Sequence, residues 1–297
     1  MIKKITEKVA SISKIINSKV FIAICIGFIC AIILINPVKT DFIKNEENGN
    51  KKSYGVFIGI DSSEIKKLRE YEIVVIDASD FSAKQIAEIK KDGHQVYTYL
   101  NIGSVEVFRS YYKEFENITL GEYSTWPNER WIDVSKKNWQ DFIINKLAKE
   151  FAQKGVDGFF IDNADVYYQY HNPAIYDGIK EILFSLKKNY GCKVIINGGD
   201  TFITQVIKEN NFKSLNIYGI NQESVFSAID FKNQKFERNS KEEVDYYKKY
   251  FEEAKAAGLN IFLLEYVKDD DKLVKIINDY CNENGFFYYV SKNIGLN

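Results

Sequence analysis

The sequence predicts an α/β fold, a (β/α)8 TIM barrel preceded by an N-terminal transmembrane helix. Strand-like and helix-like stretches alternate from Tyr54 onward, and eight strands can be counted. The strand-like stretches are almost wholly apolar, which is typical of parallel strands whose sheet is covered by helices. The length of 297 residues also suits this class, because such barrels routinely run to ~250 residues as one domain. A doubly wound open sheet is the alternative.

The N-terminal region predicts a membrane anchor. Residues 1–19 are polar and lysine-rich and are expected to be cytoplasmic, and residues 20–38 are expected to form a transmembrane signal anchor. The unbroken apolar run from Val20 to Ile35 has 16 residues, fewer than the ~20 of a full span, but flanking lysines can reach the membrane surface. Residues 39–53 are rich in Asn, Lys and Glu and predict a flexible linker, after which the globular domain occupies 54–297.

Two features bear on where the globular domain is located. Five lysines precede the apolar run, and four follow it in the flanking segment up to residue 53, a weak positive-inside bias that leaves the amino terminus in the cytoplasm. A cleaved signal peptide is the alternative, but no small-x-small cleavage site follows the run, and Ile29 precedes Cys30 where a lipid-attachment cysteine would favour a small residue. The expected location is therefore the cell membrane, single-pass with an extracellular domain, or the secreted fraction if the anchor is cleaved.

The predicted elements of the globular domain follow in chain order. Strands are expected at 54–60, 72–77, 95–102, 156–162, 192–197, 215–221, 259–267 and 285–290. Helices are expected at 63–70, 82–91, 138–154, 174–190, 201–210, 241–257 and 270–283. Plausible N-caps are Ser62, Ser82 and Ser240. Segment 103–137 is too long for an ordinary loop, and we expect it to overhang the mouth of the barrel.

Composition argues against several classes of function. Basic and acidic residues number 40 and 41, so no excess of positive charge indicates a nucleic-acid partner. His94 and His171 are the only histidines, which argues against a serine-hydrolase triad and against a zinc site with several His ligands. The four cysteines lack metal-ligand spacing, and no glycine-rich phosphate-binding motif follows a strand. We expect no cofactor, no metal and a monomer.

Carboxylates end several of the predicted strands. In a (β/α)8 barrel the carboxyl ends of the strands surround the active-site mouth, and these ends carry Asp77, Asp162 with Asp165, Glu223 and Glu265. Any one of them could instead cap a helix or lie in a solvated loop. Four strand ends with converging like charges are harder to explain in that way, because such charges destabilise a fold unless function requires them. Paired carboxylates without a metal or a triad fit glycoside hydrolysis.

Four segments, in order, resemble one known family. YLNIGSVEVFRSYY (99–112) resembles a Gly-x-x-Glu-x-x-Arg-x-Tyr element, and WPNERWIDV (126–134) resembles a Trp-rich segment ending in Asp-Val. GVDGFFIDNADVY (155–167) resembles a Gly-x-Asp-Gly-x-x-x-Asp strand, and NQESVF (221–226) resembles a segment that carries a glutamate. The globular domain thereby resembles the glycoside hydrolase family of endo-α-1,4-polygalactosaminidases, a group of (β/α)8 barrels.

The resemblance implies a substrate and two catalytic residues. Asp162 is expected to be the nucleophile or charge-stabilising carboxylate and Glu223 the acid/base, acting on a polymer of α-1,4-linked galactosamine or its acetylated form. An acidic cleft also suits a substrate with free amines, since ammonium groups pair with carboxylates. Tyr112 stands where the family often has Trp, and Ser104 stands where an acidic or small residue is frequent. These departures bear on subsite details.

Further residues are expected to bind the substrate or to shape the site. The predicted substrate-binding residues are Asp77, Trp126, Trp131, Asn163, Asp165, Tyr167, Asn197, Asn221, Glu265 and Tyr266. The aromatic members are candidates for ring stacking, with core packing as the alternative. Gly103, Glu106 and Arg109 are expected to shape the long loop, with the last two forming a pair. Asp157, which lies early in its strand, is expected to be structural.

Two other functions fit the same sequence. A non-catalytic cell-surface carbohydrate-binding protein could use the same barrel mouth without turnover. A glycosidase for a different α-linked polymer would need the same pair of carboxylates. In each case the expected partner is a polysaccharide, together with the membrane through the N-terminal helix.

Overall fold

The computed structural model describes residues 52–297 apart from positions 92, 125 and 234. The predicted cytoplasmic segment 1–19, the signal anchor 20–38 and the linker as far as residue 51 lie outside the described residues. Within the described part, no helix is both long and apolar enough to cross a lipid bilayer. The first strand begins at Lys52, so the last two residues of the predicted linker belong to the sheet.

Eight parallel strands form the central sheet. They are β1 (Lys52–Phe57), β2 (Tyr71–Ile76), β3 (Gln95–Asn101), β4 (Gly158–Asp162), β5 (Lys193–Asn197), β6 (Ile217–Glu223), β7 (Asn260–Tyr266) and β8 (Phe287–Ser291). All eight predicted strands are therefore present. Their spatial order follows the sequence, and each hydrogen-bonded pair of neighbours is parallel.

The sheet is nearly closed into a barrel. β1 and β8 lie side by side, and the ring centroids of Phe57 and Tyr289 are 5.2 Å apart across this seam. Just beyond the two strands, the backbone N–H of Gly59 donates to the carbonyl oxygen of Leu296 at 3.2 Å. With helices around the outside, this is the architecture of a (β/α)8 barrel, as the alternation of elements predicted.

Alternating side chains divide the sheet into two apolar layers. The inner layer fills the barrel and includes the buried side chains of Tyr54, Val75, Phe160 and Leu264. The outer layer packs against the helices as a separate cluster. Because successive residues point to opposite sides, the inward row of each strand continues to a last position at the mouth of the barrel. Those last positions carry Asp77, Asp162, Asn197, Glu223 and Tyr266.

Helices cover the outer face of the sheet. They are α1 (Ala83–Lys90), α2 (Lys137–Phe142, a π-helical segment Ile143–Ala148, and Lys149–Lys154), α3 (Val166–Tyr170), α4 (Pro173–Tyr190), α5 (Asp200–Lys208), α6 (Lys241–Ala256) and α7 (Asp271–Asn284). The predicted helix 63–70 is present as a 3-10 helix, Ser62–Glu70. α3 was not predicted.

Two of the three predicted N-caps are confirmed. Ser82 forms a capping box with Gln85 at the start of α1, and the hydroxyl of Ser240 accepts the backbone N–H of Glu243 at the start of α6. The prediction for Ser62 is wrong, because the preceding Asp61 is the N-cap and its carboxylate accepts the N–H of Ser63 at 2.7 Å.

Two inserted segments rise above the carboxyl ends of the strands. The β3 insert (103–137) contains a small antiparallel sheet of Ser104–Glu106, Thr119–Glu122 and Glu129–Ile132, and a helical turn at Tyr112–Phe115. The β6 hairpin (227–238) pairs Ser227–Asp230 with Lys235–Arg238. The first insert overhangs the mouth as predicted, and the second was not predicted.

Candidate active site

A cleft of about 790 Å³ opens at the carboxyl ends of the strands. Residues at the ends of β2 to β7 form its floor, and the β3 insert and the β6 hairpin contribute its walls. The predicted site residues that it brings together are Asp77, Glu106, Arg109, Trp126, Asp162, Asn163, Asp165, Asn197, Glu223 and Tyr266.

One amide joins the two predicted catalytic carboxylates. Asn197 ends β5, between Asp162 at the end of β4 and Glu223 at the end of β6. Its side-chain Nδ2 donates to Oδ1 of Asp162 at 2.9 Å and to Oε1 of Glu223 at 2.7 Å. Because both oxygens bind the same nitrogen, they lie no more than about 6 Å apart.

Further donors hold the remaining oxygens of the carboxylate pair. The hydroxyl of Tyr99 donates to Oδ2 of Asp162 at 3.0 Å, and the amide of Asn163 donates to the same oxygen at 3.3 Å. The hydroxyl of Tyr266 donates to Oε2 of Glu223 at 2.7 Å. Asp162 therefore accepts from three side chains and Glu223 from two, so both carboxylates are held in fixed orientations.

Burial and mutual repulsion keep a proton on the carboxylate pair. Desolvation, and after it the negative charge of Glu223, raise the pKa of Asp162 to about 8. The hydrogen bonds from Asn197 and Tyr99 favour the charged form and oppose this rise. At neutral pH Asp162 therefore keeps a proton beside the second carboxylate, where it is available for general acid/base chemistry.

Asp165 lies beside the pair and supports the turn after β5. Its Oδ1 accepts the backbone N–H of Gly199 at 3.0 Å, and it makes no side-chain cap to α3. Burial raises its pKa to about 6. A side chain at Gly198, whose φ is +64°, would place its Cβ 2.6 Å from the Asp165 carboxylate, so this position requires glycine.

A second group of charges lines the cleft between β2 and the β3 insert. The guanidinium of Arg109 contacts Asp77 Oδ2 at 3.1 Å and Glu106 Oε1 at 3.3 Å. The predicted pairing of Arg109 with Glu106 is therefore present, and Asp77 joins it. Glu129 is close by, where it accepts the hydroxyl of Ser104 at 2.5 Å, and burial raises its pKa.

The cleft has a strongly acidic lining. Of the charged side chains that line it, six are carboxylates and one is a guanidinium. Such an excess of negative charge in a concave site attracts cations and repels anions. The chemistry suits a substrate with positively charged groups. In the part of the chain that the structure describes, no three His, Cys, Asp or Glu side chains are grouped so as to hold a metal ion.

Aromatic side chains form the rim of the cleft. Trp126 of the β3 insert and Phe231 of the β6 hairpin meet edge to face, with ring centroids 5.3 Å apart. Phe108 is 70% exposed at the same cleft, and Tyr123 also lines it. Exposed rings at a polar cleft are the usual surfaces on which sugar rings stack.

Four predicted substrate-binding residues do not line the cleft. Trp131 is buried against Tyr123, with ring centroids 4.1 Å apart, and Tyr167 packs against His171 and Tyr176. Asn221 is also buried, as described further below. Trp131 and Tyr167 therefore pack against other side chains, as the alternative to sugar stacking expected.

Glu265 has a different position from the one predicted. It lies on β7 one residue before the inward Tyr266, so its side chain points out of the barrel, and it is fully buried. Its carboxylate accepts the backbone N–H groups of Val225, Phe226 and Ser227 at 2.9 to 3.3 Å. Glu265 therefore fixes the chain that follows Glu223 and does not contact the cleft.

Gly103 supports the β3 insert, as predicted. A Cβ at this position would lie 1.8 Å from the carbonyl oxygen of Asn163, so only glycine permits the insert to start so close to β4. The hydroxyl of Ser104 then binds both Glu129 and the amide of Asn163. The insert is thereby joined to the end of β4.

Sequence reasoning missed several residues of the site. Tyr99 and Glu129 both lie within segments that were singled out for their resemblance, and the inward alternation of β3 would have placed Tyr99 at the mouth. Phe231 belongs to the unpredicted β6 hairpin, and no local signal places it opposite Trp126.

Comparisons with known proteins identify the relatives of this chain. The sequence profile of glycoside-hydrolase family GH114 matches residues 44–294. The chain is 25% identical over 251 residues to the uncharacterized protein MJ1477 of Methanocaldococcus jannaschii, covering 75% of this chain and 70% of that protein.

Two solved structures from other organisms share the fold. The glycoside hydrolase domain of PelA from Pseudomonas aeruginosa superposes with a TM-score of 0.71 at 16% identity, covering 82% of this chain and 95% of that one. Ega3 of Aspergillus fumigatus, in complex with galactosamine, gives a TM-score of 0.62 at 18% identity, covering 84% and 93%. Since the family profile spans most of the sequence, the chain belongs to glycoside-hydrolase family GH114.

Proposed function

We propose that this protein is an endo-acting glycosidase that hydrolyses an α-1,4-linked galactosamine polymer. The observation that carries the proposal is the pair of buried carboxylates, Asp162 and Glu223, bridged by one amide at the floor of an acidic cleft. A carboxylate pair of this kind is the machinery of most glycosidases. Membership of the family supports the reaction class.

The spacing of the pair favours a retaining mechanism. Retaining glycosidases hold their carboxyl groups about 5–5.5 Å apart, whereas inverting enzymes need about 6.5–9.5 Å to admit a water. The shared donor keeps the facing oxygens of Asp162 and Glu223 within about 6 Å of each other. Asp162 then attacks the anomeric carbon, while Glu223 protonates the leaving oxygen and later deprotonates the attacking water.

The hydrogen bonds favour this division of roles. Asp162 accepts from two amides, which cannot reverse their donation without rotating, and from the Tyr99 hydroxyl. Three donors stabilise an anionic nucleophile. Glu223 accepts from the amide of Asn197 and from Tyr266, whose hydroxyl can donate or accept. A proton can therefore reside on Glu223 with little rearrangement.

An amino-sugar polymer suits the charge of the cleft. The excess of carboxylates in the lining would attract the ammonium groups of unacetylated galactosamine. Ega3, one of the proteins with the same fold, was solved in complex with galactosamine. We therefore place free amines among the groups that the cleft recognises, and a neutral α-linked polymer is the alternative that a panel of polysaccharides would reveal.

The proposal is tested by conservative substitutions of the pair. Asp162→Asn and Glu223→Gln should each lower polygalactosamine hydrolysis by roughly 10³-fold or more, because each removes a group that acts in the transition state. Matched controls are Asp177→Asn and Glu252→Gln, which alter exposed carboxylates outside the cleft. Reducing-end release measures the rate, and NMR of the first anomer formed should show retention.

Two outcomes would contradict this function. Turnover that survives in either catalytic variant would remove that residue from the mechanism. Binding of the polymer without any release of reducing ends by the wild-type chain would instead favour a non-catalytic carbohydrate-binding protein.

The location is proposed from the sequence alone. The apolar segment 20–38 and the polar linker after it support a single-pass anchor with the barrel outside the cell. Protease treatment of intact cells should degrade the barrel domain, whereas a domain that is protected until lysis would contradict the proposal. Release of the barrel into the medium would indicate cleavage of the anchor.

A further inference from the structure

A row of three polar side chains runs from the barrel interior to the catalytic pair. The hydroxyl of Tyr54, on β1, donates to Oδ1 of Asn221 at 3.0 Å. The side-chain Nδ2 of Asn221 donates to Oδ1 of Asn197 at 2.7 Å. The Nδ2 of Asn197 then donates to both Asp162 and Glu223.

The direction of donation along this row decides what the carboxylates receive. A side-chain amide can rotate by half a turn and exchange its donor and acceptor ends. If both Asn197 and Asn221 rotated, Asn197 would present its carbonyl oxygen to Asp162 and Glu223. An oxygen facing two carboxylates is tolerated only when a carboxyl group carries a proton that it can donate.

Tyr54 favours one of the two directions of donation over the other. Its side chain is fully buried, and among the described residues its hydroxyl makes one hydrogen bond, to Asn221. In the observed direction the hydroxyl proton has the carbonyl oxygen of Asn221 as its acceptor. In the reversed direction that proton would have no acceptor, and burial prevents water from replacing one.

We propose that Tyr54 is a positioning residue that, through Asn221, fixes the amide of Asn197 so that both of its N–H bonds point at the catalytic carboxylates. The inference rests on the function proposed above for Asp162 and Glu223. It adds two residues, one at the far side of the barrel interior, that do not touch the cleft.

Other groups also face the pair and must stay unchanged in a test. Besides Tyr54 itself, the titratable side chains that face Asp162 or Glu223 from neighbouring elements are Tyr99, Tyr123, Glu129, Asp165 and Tyr266. Replacement of Tyr54 by phenylalanine removes none of them. It removes one buried hydroxyl and keeps the ring in the core.

The barrel contains a matched control for this substitution. Tyr97 is also a fully buried tyrosine of the inner layer, but its hydroxyl has no hydrogen-bond partner in the described part of the chain. Tyr97→Phe therefore makes the same chemical change in the same core without touching the row.

The test follows the proton of the pair independently of turnover. Infrared pH titration of the protonated-carboxyl band, with Asp162→Asn to identify the signal, is done on the full-length chain in detergent. Tyr54→Phe should keep the pair protonated to a pH higher by roughly one unit, because a reversed Asn197 stabilises the protonated form. Tyr97→Phe should titrate like the wild type.

Kinetics supply the second readout. Tyr54→Phe should lower kcat by roughly tenfold or more with KM within about twofold, since substrate-binding groups are untouched. If the wild-type chain hydrolyses no polymer, the proposed function fails, and the infrared titration still decides the role of Tyr54.

Two titration results would overturn the positioning role. One is a Tyr54→Phe titration that coincides with the wild type, and the other is an equal shift in Tyr97→Phe. Asn221→Ser breaks the same row at its second residue, and it replaces Tyr54→Phe in the test if that variant does not fold. Failure of both to fold, while Tyr97→Phe folds, would make the row structural and not positional.

Discussion

At the scale of single residues, the site is built from carboxylates whose environments differ. Asp157 and Asp162 lie five residues apart on the same stretch of chain. Asp157, at the opposite end of the strand from the cleft, accepts the N–H of Val96 and pairs with Lys90 at 2.7 Å, which is a structural role. Asp162, at the other end, faces Glu223 and Asn197. The sequence suffices to separate these two, because strand position decides which end of the barrel a residue reaches.

The proton held by the pair predicts the pH dependence of catalysis. Asp162 loses its proton with a pKa of about 8, so above this pH the pair holds no proton that could pass to Glu223 for its role as general acid. We expect kcat/KM to fall tenfold per pH unit above about pH 8. Initial rates from pH 5 to 10 measure this limb.

Amines of the substrate also lose protons in alkaline solution, so the pH profile needs a control substrate. An N-acetylated polymer or oligosaccharide has no such amine. If kcat/KM still falls above about pH 8 with that substrate, a group of the enzyme causes the fall. If kcat/KM no longer falls with that substrate, deprotonation of the substrate amines causes the fall, and the prediction is contradicted.

At the scale of elements, strands and helices followed from the sequence, whereas the contacts between inserts did not. Apolar runs locate every barrel strand, because a strand that is buried on both faces consists of apolar residues, and helical periodicity locates the helices between them. The β6 hairpin escaped prediction, since its strands, Ser227–Asp230 and Lys235–Arg238, are short and largely polar. Glu265 also lies at a strand end. Its side chain points out of the barrel, however, so it binds backbone N–H groups and does not reach the cleft.

The buried acceptor at Glu265 predicts the cost of losing it. Glu265→Ala would leave three backbone N–H groups and the Ser227 hydroxyl without their acceptor. We expect the free energy of unfolding to fall by roughly 3–5 kcal/mol. Urea unfolding measures the change. Glu265→Gln keeps one acceptor oxygen and should cost less, so equal losses in the two variants would contradict this role.

The aromatic contact between the two inserts predicts an effect on substrate affinity. Trp126→Ala and Phe231→Ala should each raise KM by roughly 5- to 30-fold, because a lost stacking surface costs about 1–2 kcal/mol of binding. We expect kcat to change little, since neither ring contacts the carboxylate pair. Steady-state kinetics on a long polymer measures both constants.

A matched control separates stacking from general loss of exposed aromatic surface. Phe184, on α4, is 47% exposed and lies outside the cleft, against 40% for Phe231. Phe184→Ala should leave KM unchanged. A fall in kcat with constant KM in the cleft variants would show that the inserts position the catalytic groups and do not bind sugar.

At the scale of the whole molecule, the barrel could be predicted because the order of its elements is the order of its strands. Eight alternations of strand and helix permit few arrangements, and connections in such folds are short and right-handed. The row from Tyr54 to Asn197 could not be predicted, because it joins β1, β5 and β6 across the barrel interior. No spacing in the sequence encodes such a contact.

The buried carboxyl groups together predict how stability depends on pH. Burial raises the pKa values of Asp162, Glu265 and Asp165 to about 8, 7 and 6. In the unfolded chain these groups lose their protons near pH 4. The folded state therefore binds more protons between pH 4 and pH 8, and the free energy of unfolding falls as pH rises through that range.

Thermal unfolding across pH tests this sign. We expect Tm to be highest near pH 4–6 and to fall by more than about 5 °C by pH 8. Asp162→Asn cannot lose a proton and should flatten the decline between pH 6 and 8 while raising Tm at neutral pH. A Tm that is constant or rises from pH 5 to 8 would contradict the prediction.

The side-chain amide of Asn197, at the centre of the site, is also open to chemical degradation. Asn197 is followed by Gly198, and asparagine before glycine is prone to deamidation, because the flexible backbone nitrogen attacks the side-chain amide. In the folded protein that nitrogen is occupied with the carbonyl of Asn221 at 2.9 Å, and the amide itself is held by Asp162, Glu223 and Asn221. Unfolding releases both restraints. A chain that refolds after prolonged heating would then carry a third carboxylate between Asp162 and Glu223, and we expect it to lose activity while its fold returns.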